Sequence, residues 1–253
     1  MPISTQVDQG IAHLVMDHPP VNAFDSAGWA EIAASVHRLG NDPSANVLVI
    51  SAEGRGFCAG VDIKELAADS GAIIAVNKAC YDSFAAVYDC PIPVIAACHG
   101  FVLGGGIGLA GSSDIVFASE DASFGLPEID RGAMGAATHL ARMFPVQKVR
   151  RMFLTGEPIS ADEAYRLGAV ESVVPRENLL ETAFELAAKI ASKSPRALRL
   201  AKEALNGIEL MDVKTSYRFE QGFTLELYNS EESQEARDAF VDKRDAKFGK
   251  DKG

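Results

Sequence analysis

The sequence lacks the patterns that mark membrane, secreted and metal-binding proteins. No apolar run reaches the ~18 residues that a membrane-spanning helix needs, and residues 1–6 have neither the basic start nor the apolar stretch of a secretion signal. The four cysteines form no CxxC pair and the five histidines no HxxxH or HxH cluster, so we expect no bound metal. A reduced, cytoplasmic location without a membrane partner is the simplest interpretation of these absences.

Positive charge is also scarce in this chain. Lysine and arginine number 24 against 35 aspartates and glutamates, which gives a formal net charge of −11. Because a nucleic-acid-binding surface must neutralise phosphates, this balance argues against a nucleic-acid partner. It still permits an anionic small ligand held by a local basic patch. With 253 residues, of which 47% are hydrophobic, the chain fits one large domain or a core with a helical appendage.

Apolar and β-branched runs predict strands in the first half of the chain, at 11–16, 46–51, 93–98 and 114–118. Helices are predicted from Ser26, as N-cap, to Gly40, and over 73–89. Beyond about residue 135 the pattern becomes mostly helical, with a capping box that starts at Ser160 and with helices at 145–154, 160–167, 176–193, 195–206, 212–229 and 232–247. We therefore predict an α/β first half of repeated ββα units, joined without a linker to a helical region.

Two glycine-rich loops, at 56–62 and 104–108, each follow an apolar strand and lead into a predicted helix. Backbone N–H groups at a helix start have no partner within the helix and favour negative charge. Three consecutive glycines in the second loop indicate close approach of a ligand or of another backbone segment. If the two loops converge, they can hold one developing oxyanion from two sides. A plain strand-to-helix turn is the alternative for each loop.

Residues 106–111 also fit the GxGxxG pattern of dinucleotide-binding proteins, with Glu128 about twenty residues further on. The helix that opens here leaves only a few residues before Asp114 starts the next strand, which is too short for the crossover of such a fold. No Lys-Ser or Lys-Thr follows the glycines, so a P-loop is excluded. Cys58 has no histidine at a recognisable spacing and is interpreted as a small buried thiol.

Glu128 follows Gly125-Leu126-Pro127 in a bend, where a carboxylate beside a glycine-lined cavity can act as a general acid or base. Asp130 and His139 lie close enough in sequence to assist it. The alternatives are a surface or helix-capping role for Glu128 and a packed or surface position for His139.

These motifs together resemble the crotonase (enoyl-CoA hydratase/isomerase) superfamily. The resemblance rests on FCAGVDIKE at 57–65, HGFVLGGG at 99–106, SDIVFA at 113–118 and FGLPE at 124–128, and it extends through 154–164 and 239–244. It implies an α/β, crotonase-like fold, in which a repeated ββα superhelical core at 1–195 binds acyl-CoA. Residues 196–253 would be a C-terminal helical region that packs on the core and on a neighbouring subunit, giving a homotrimer or a hexamer of two trimers.

The resemblance also implies a coenzyme A (CoA) thioester as substrate and no separate cofactor. The family's oxyanion hole corresponds to the backbone N–H groups of Ala59 and Gly105, which would hold the thioester oxygen as it becomes an enolate. Gly60, Val61 and Asp62 would line the CoA together with Ala59. Lys243 matches a lysine near the CoA phosphates.

One position departs from the family pattern. Hydratases of this family use two glutamates around one water; the second corresponds to Glu128, but the first falls on Gly108, which has no side chain. A single carboxylate suits an isomerase, a hydrolase or a carbon–carbon bond cleavage instead.

A narrower resemblance, carried by 53–57, 104–109, 119–128, 131–140 and 217–224, is to the ring-opening hydrolase branch of actinobacterial steroid breakdown. It implies retro-Claisen hydrolysis of a cyclic β-diketone carried on CoA. The alternatives are an enoyl-CoA hydratase or Δ3-Δ2-enoyl-CoA isomerase, a non-catalytic acyl-CoA-binding protein, and a dinucleotide oxidoreductase.

Overall fold

The computed structural model describes residues 2–62, 70–131 and 133–248. Its main sheet has six strands in the order β1-β2-β4-β6-β8-β11, with β1 antiparallel to β2 and the other neighbours parallel. The strands are β1 (Ile3–Asp8), β2 (Ile11–Met16), β4 (Val47–Ala52), β6 (Val94–Cys98), β8 (Ile115–Ser119) and β11 (Ser172–Val174).

Short strands form a second layer. They are β3 (Ala23–Phe24), β5 (Gly60–Val61), β7 (Phe101–Leu103), β9 (Ser123–Gly125) and β10 (Ile159–Ser160). β3 pairs with β5, while β7, β9 and β10 form a three-stranded sheet. Each main strand from β2 to β8 is followed by one of these short strands and then by a helix. The predicted ββα repeat is therefore confirmed.

The helices of the first half are α1 (Ser26–Gly40), α2 (Ile73–Tyr88), α3 (Gly105–Ser112) and α4 (Ala137–Met143). The later ones are α5 (Val146–Thr155), α6 (Ala161–Arg166), α7 (Arg176–Ala191), α8 (Pro195–Ile208), α9 (Val213–Tyr228) and α10 (Glu231–Asp242). Single 3₁₀ turns occur at Ser70–Ala72 and Pro127–Arg131. No helix among the described residues is both long and apolar enough to cross a membrane.

The core occupies both faces of the main sheet. β4 and β6 are buried along almost their whole length, as expected of parallel strands covered on two sides. α1 and α2 lie on one face, and the buried side chains of α7 cover the other. The predicted division after residue 195 falls at the first residue of α8. α8 is held to the core by an ion pair between Lys202 and Asp114 at 2.6 Å.

The predicted strands correspond to β2, β4, β6 and β8 within a residue. Most of the predicted helix ends agree with the structure within two residues, and two differences have a clear local cause. Asp25, not Ser26, is the N-cap of α1, because its side chain accepts from the N–H of Gly28 at 2.7 Å. α10 was predicted to reach residue 247 but ends at Asp242, since Lys243 adopts a left-handed φ of 55°. The helix predicted to follow Asp62 begins in residues that the structure does not describe.

Candidate active site

The first glycine loop runs between two short strands and changes partner along its length. At its start it pairs with β7, because the N–H of Leu103 donates to the carbonyl of Cys58 at 2.9 Å. Further on it pairs with β3, where the N–H of Asp62 donates to the carbonyl of Phe24 at 2.8 Å. Asn22 stabilises the segment that precedes the loop, because its side-chain amide nitrogen donates to the carbonyls of Glu53 at 2.8 Å and Gly56 at 2.9 Å.

This pairing corrects the predicted oxyanion donor Ala59. Its N–H points into the β3 side and donates to the carbonyls of Val21 at 3.1 Å and Asn22 at 3.3 Å, so it is already engaged. Val61 lies opposite Phe24 in the parallel ladder, which directs the N–H of Val61 away from β3. The amide that the loop presents on the other side therefore belongs to Val61, two residues later than predicted.

The second glycine loop lies on that other side. Cys58 is paired with Val102, so the two loops run side by side from that point. A Cβ added to Gly60 would lie only 3.1 Å from the nitrogen of Gly105. Gly105 is the first residue of α3, and the first backbone bond of that helix runs from Gly108 to Gly104, so the Gly105 N–H has no partner within the helix. The two loops therefore meet, as predicted.

Glu128 lies beside the place where the two loops meet. It is half-buried in the 3₁₀ turn that follows β9. Its Oε1 atom occupies the place where a Cβ on Gly104 would stand, and Gly104 has a φ of 54° that favours glycine. A carboxylate thus lies directly beside the start of α3 and within reach of a ligand held there.

Asp130 is not brought to the same point. It is exposed, and its Oδ2 atom lies 2.5 Å from where a Cβ on Gly156 would stand, at the end of α5. Successive residues of a 3₁₀ turn are rotated by about 120°, so residues two apart face different sides. The turn that directs Glu128 to α3 therefore directs Asp130 away from it, which contradicts the prediction that Asp130 assists Glu128.

Three aromatic rings lie in a row along the glycine face of α3. A Cβ at Gly105 would collide with the indole of Trp29, one at Gly108 with the ring of Phe84, and one at Gly111 with the backbone and Cβ of His139. The rings contact each other edge to face: Trp29 and Phe84 have centroids 5.5 Å apart, and Phe84 and His139 4.9 Å apart. We call Trp29, Phe84 and His139 the aromatic row.

The aromatic row explains the departure at position 108. The space into which a side chain at 108 would project is filled by Phe84, which is itself 9% exposed. A glutamate there would have no room. The first carboxylate of the hydratase pattern is thus replaced by an apolar ring with an imidazole beyond it.

His139 is half-buried on α4, and its Nδ1 atom has no hydrogen-bond partner among the residues described. Burial, aided by the positive charge of Arg142, lowers its pKa below the usual 6.5, so the imidazole is neutral near pH 7. A neutral imidazole with a vacant nitrogen can accept or donate one proton or bind one water.

Cys58 and Lys243 were also considered in the sequence, and the first is buried whereas the second is exposed. Cys58 is completely buried, and desolvation raises the pKa of its thiol to about 12, which suits the predicted inert thiol. Lys243 is exposed at the end of α10, and α10 packs on α9 rather than on the strands that carry the glycine loops, as far as the described elements extend.

Sequence reasoning did not single out Trp29 or Phe84 as site residues. The signal was the spacing of Gly105, Gly108 and Gly111, which recur every third residue along one helix. Such a stripe indicates that something large lies against the backbone, but the sequence does not tell which side chain it is.

Comparison with known proteins agrees with this geometry. The family model described as enoyl-CoA hydratase/isomerase matches residues 6–251. A protein of Rhodococcus jostii named (7aS)-7a-methyl-1,5-dioxo-2,3,5,6,7,7a-hexahydro-1H-indene-carboxyl-CoA hydrolase is 52% identical over 241 residues, covering 94% of this chain and 93% of its own. A protein of the same name from Mycobacterium tuberculosis is 50% identical, covering 96% and 100%. The crystal structure of human enoyl-coenzyme A hydratase domain-containing protein 3 has a TM-score of 0.93 at 30% identity, covering 98% and 100%.

Proposed function

Because the chain belongs to the enoyl-CoA hydratase/isomerase family, we propose that it is a CoA-thioester hydrolase that opens a ring of a cyclic diketone acyl group by retro-Claisen cleavage, as in steroid breakdown. The observation that carries the proposal is the meeting of Gly60, Gly105 and Glu128 at the start of α3. Relatives named for a dioxo-hexahydroindene acyl-CoA, at 52 and 50% identity, support the choice of substrate class.

In the proposed reaction the oxyanion is held by two backbone amides. Water oxygen bonds to the carbon of a ring ketone, and the bond between that carbon and its ring neighbour, the carbon attached to the thioester carbonyl, breaks. The electron pair of the broken bond passes into the thioester, whose oxygen becomes an enolate held by the N–H groups of Val61 and Gly105. Loss of one such donor typically raises a barrier by ~3–4 kcal/mol. The product gains one water and carries a new carboxylate.

Proton transfer is assigned to Glu128 and His139. Glu128, beside Gly104, takes the proton from the attacking water and returns it to the carbon released as a carbanion. His139, neutral and with a vacant Nδ1 atom, is proposed as a second group that can exchange a proton at this site. Glu128 lies beside Gly104 at the start of α3, and His139 lies against Gly111 near the end of this helix, with its imidazole packed on Phe84.

The alternatives are less supported. Hydration by two carboxylates has no counterpart at Gly108, where Phe84 fills the space. A Δ3-Δ2-enoyl-CoA isomerase needs no water, and a non-catalytic acyl-CoA-binding protein would not need Glu128 beside Gly104. Hydration of crotonyl-CoA at ordinary enzymatic rates, or binding of CoA thioesters without turnover, would favour one of these instead.

The test is a panel of CoA thioesters that includes a cyclic β-diketone, analysed by mass spectrometry. We expect a mass gain of one water with ring opening for the diketone. Glu128→Gln should lower kcat/KM by about 10²–10⁴-fold, the usual contribution of a positioned acid or base. Glu120→Gln, at an exposed carboxylate outside the site, is the matched control and should leave it unchanged. A Glu128→Gln enzyme with wild-type kcat/KM would refute the assignment.

We further propose a homotrimer, or a hexamer of two trimers, in which CoA enters only as part of the substrate and no cofactor is needed. Large apolar side chains are exposed on the last two helices, among them Leu225, Phe240 and Val241 at 68, 84 and 76%. We place Lys243 near the CoA phosphates in such an assembly, because it matches the lysine that the family resemblance puts there. Light scattering should then give a mass that is a multiple of three 26.9 kDa chains. A cytoplasmic location suits the four free cysteines.

A further inference from the structure

The only tryptophan of the sequence, Trp29, lies against the first residue of α3. A Cβ on Gly105 would collide with its Cζ2 and Cη2 atoms. In an indole, Cζ2 and Nε1 are bonded to the same ring carbon. The indole N–H therefore lies next to the residue whose amide is proposed to hold the thioester oxygen, where an attached acyl group begins.

The indole N–H of Trp29 is buried without a hydrogen-bond partner anywhere in the described part of the chain. Trp29 is 0% exposed, and its ring neighbours are Phe24 and Phe84, at centroid distances of 5.7 and 5.5 Å. Native proteins pair the great majority of their buried polar groups, because an unpaired donor loses water and gains nothing. A phenylalanine or leucine would pack here without that loss. The donor therefore indicates an acceptor that the chain itself does not supply.

We infer that the indole N–H of Trp29 binds a ring-carbonyl oxygen of the acyl group. The inference rests on the proposed function for the nature of the ligand, an acyl-CoA with a ring ketone. An indole can only donate and a ketone oxygen can only accept, so the two match. The inference requires the ring of Phe84 to move on binding, because it contacts the indole and, at 9% exposed, is the more accessible of the two rings.

This arrangement favours acyl groups that carry a ring ketone. The N–H has no water to lose on binding, because folding has already removed it, so the hydrogen bond to a ligand carries little desolvation cost on the protein side. An acyl ring without the ketone leaves the donor unpaired and gains nothing from it. Trp29 is therefore assigned as a specificity-determining residue, distinct from the groups that transfer protons.

The single tryptophan makes a direct measurement possible. Protein labelled with ¹⁵N at the indole nitrogen gives one indole ¹H–¹⁵N resonance, and its loss in Trp29→Phe confirms the assignment. In the Glu128→Gln background, which suppresses turnover, we expect 2-oxocyclohexanecarboxyl-CoA to move this resonance downfield, as a new hydrogen bond does. Cyclohexanecarboxyl-CoA, of the same ring size but without the ketone, should not. Equal shifts with both thioesters, or no shift with the bound ketone, would overturn the inference.

Affinities supply a second test. The preference for the ketone thioester, taken as the ratio of the two dissociation constants, should fall about tenfold in Trp29→Phe, since one buried hydrogen bond is lost. The smaller ring affects both ligands alike and cancels in the ratio. An unchanged ratio contradicts the inference. Failure of the wild-type enzyme to hydrolyse the diketone, with the shift and the ratio as expected, would refute the proposed reaction alone. If neither thioester binds, both the proposed function and the inference about Trp29 are refuted.

Discussion

The glycine at position 108 offers the sharpest test of the aromatic row. In Gly108→Ala the new Cβ would lie 2.6 Å from Cε2 of Phe84 and closer still to Cζ and Cε1, whereas ordinary contacts start at 3.4 Å. The ring must therefore withdraw by about 1 Å inside a packed core, and overpacking of this kind costs about 1–3 kcal/mol. Replacing a helical glycine by alanine also contributes about 1 kcal/mol in the opposite direction.

A control variant separates these two effects. Gly222 lies in α9, is exposed, and a Cβ there would meet no atom within 4 Å. Gly222→Ala should therefore raise the free energy of unfolding by about 1 kcal/mol through helix propensity alone. We expect Gly108→Ala to be about 1–3 kcal/mol less stable than Gly222→Ala, which corresponds to about 2–4 °C in Tm for each kcal/mol in a chain of this size.

Thermal unfolding at one fixed protein concentration measures this difference, since assembly makes Tm depend on concentration. Phe84→Leu removes the ring, so adding Gly108→Ala to Phe84→Leu should have the same effect as Gly222→Ala. The two changes at 84 and 108 would then be coupled by about 1–3 kcal/mol. If Gly108→Ala stabilises the protein as much as Gly222→Ala does, Phe84 does not occupy the space at position 108 and our explanation for the missing carboxylate is wrong.

Two further predictions concern stability. Lys202→Met removes the ammonium from an ion pair whose side chains are 3 and 20% exposed, so it should destabilise the protein by about 3 kcal/mol, and adding Asp114→Asn should recover part of this in urea unfolding. Burial lowers the pKa of His13, His99 and His139 in the folded state. Below about pH 6.5 the unfolded chain therefore binds more protons than the folded chain, so Tm should be steady from pH 8 to 7 and fall as the pH is lowered to 5.5. A Tm that rises as the pH is lowered from 7 to 5.5 would contradict the assigned shifts.

Local sequence patterns were sufficient for much of the fold. β4 and β6 follow from uninterrupted apolar runs, and α6 from the Ser160 capping box, whose hydroxyl accepts from the N–H of Glu163 at 3.3 Å. The strands of two or three residues in the second layer were missed, because a pair such as Ala23–Phe24 carries no periodicity. They exist only through their partners, as β3 does through β5.

By itself the sequence determined the order of the main strands and helices, the two glycine loops and the bend that carries Glu128, because turn chemistry and periodicity act between residues close in the chain. Only the tertiary structure decided that the amide of Val61 rather than Ala59 faces Gly105, that Asp130 is directed away from Glu128, and that Phe84 fills the space at Gly108. These outcomes depend on strand register, on the rotation of a 3₁₀ turn and on helix packing. Such contacts join residues far apart in sequence, where composition and spacing carry no information about which atoms meet.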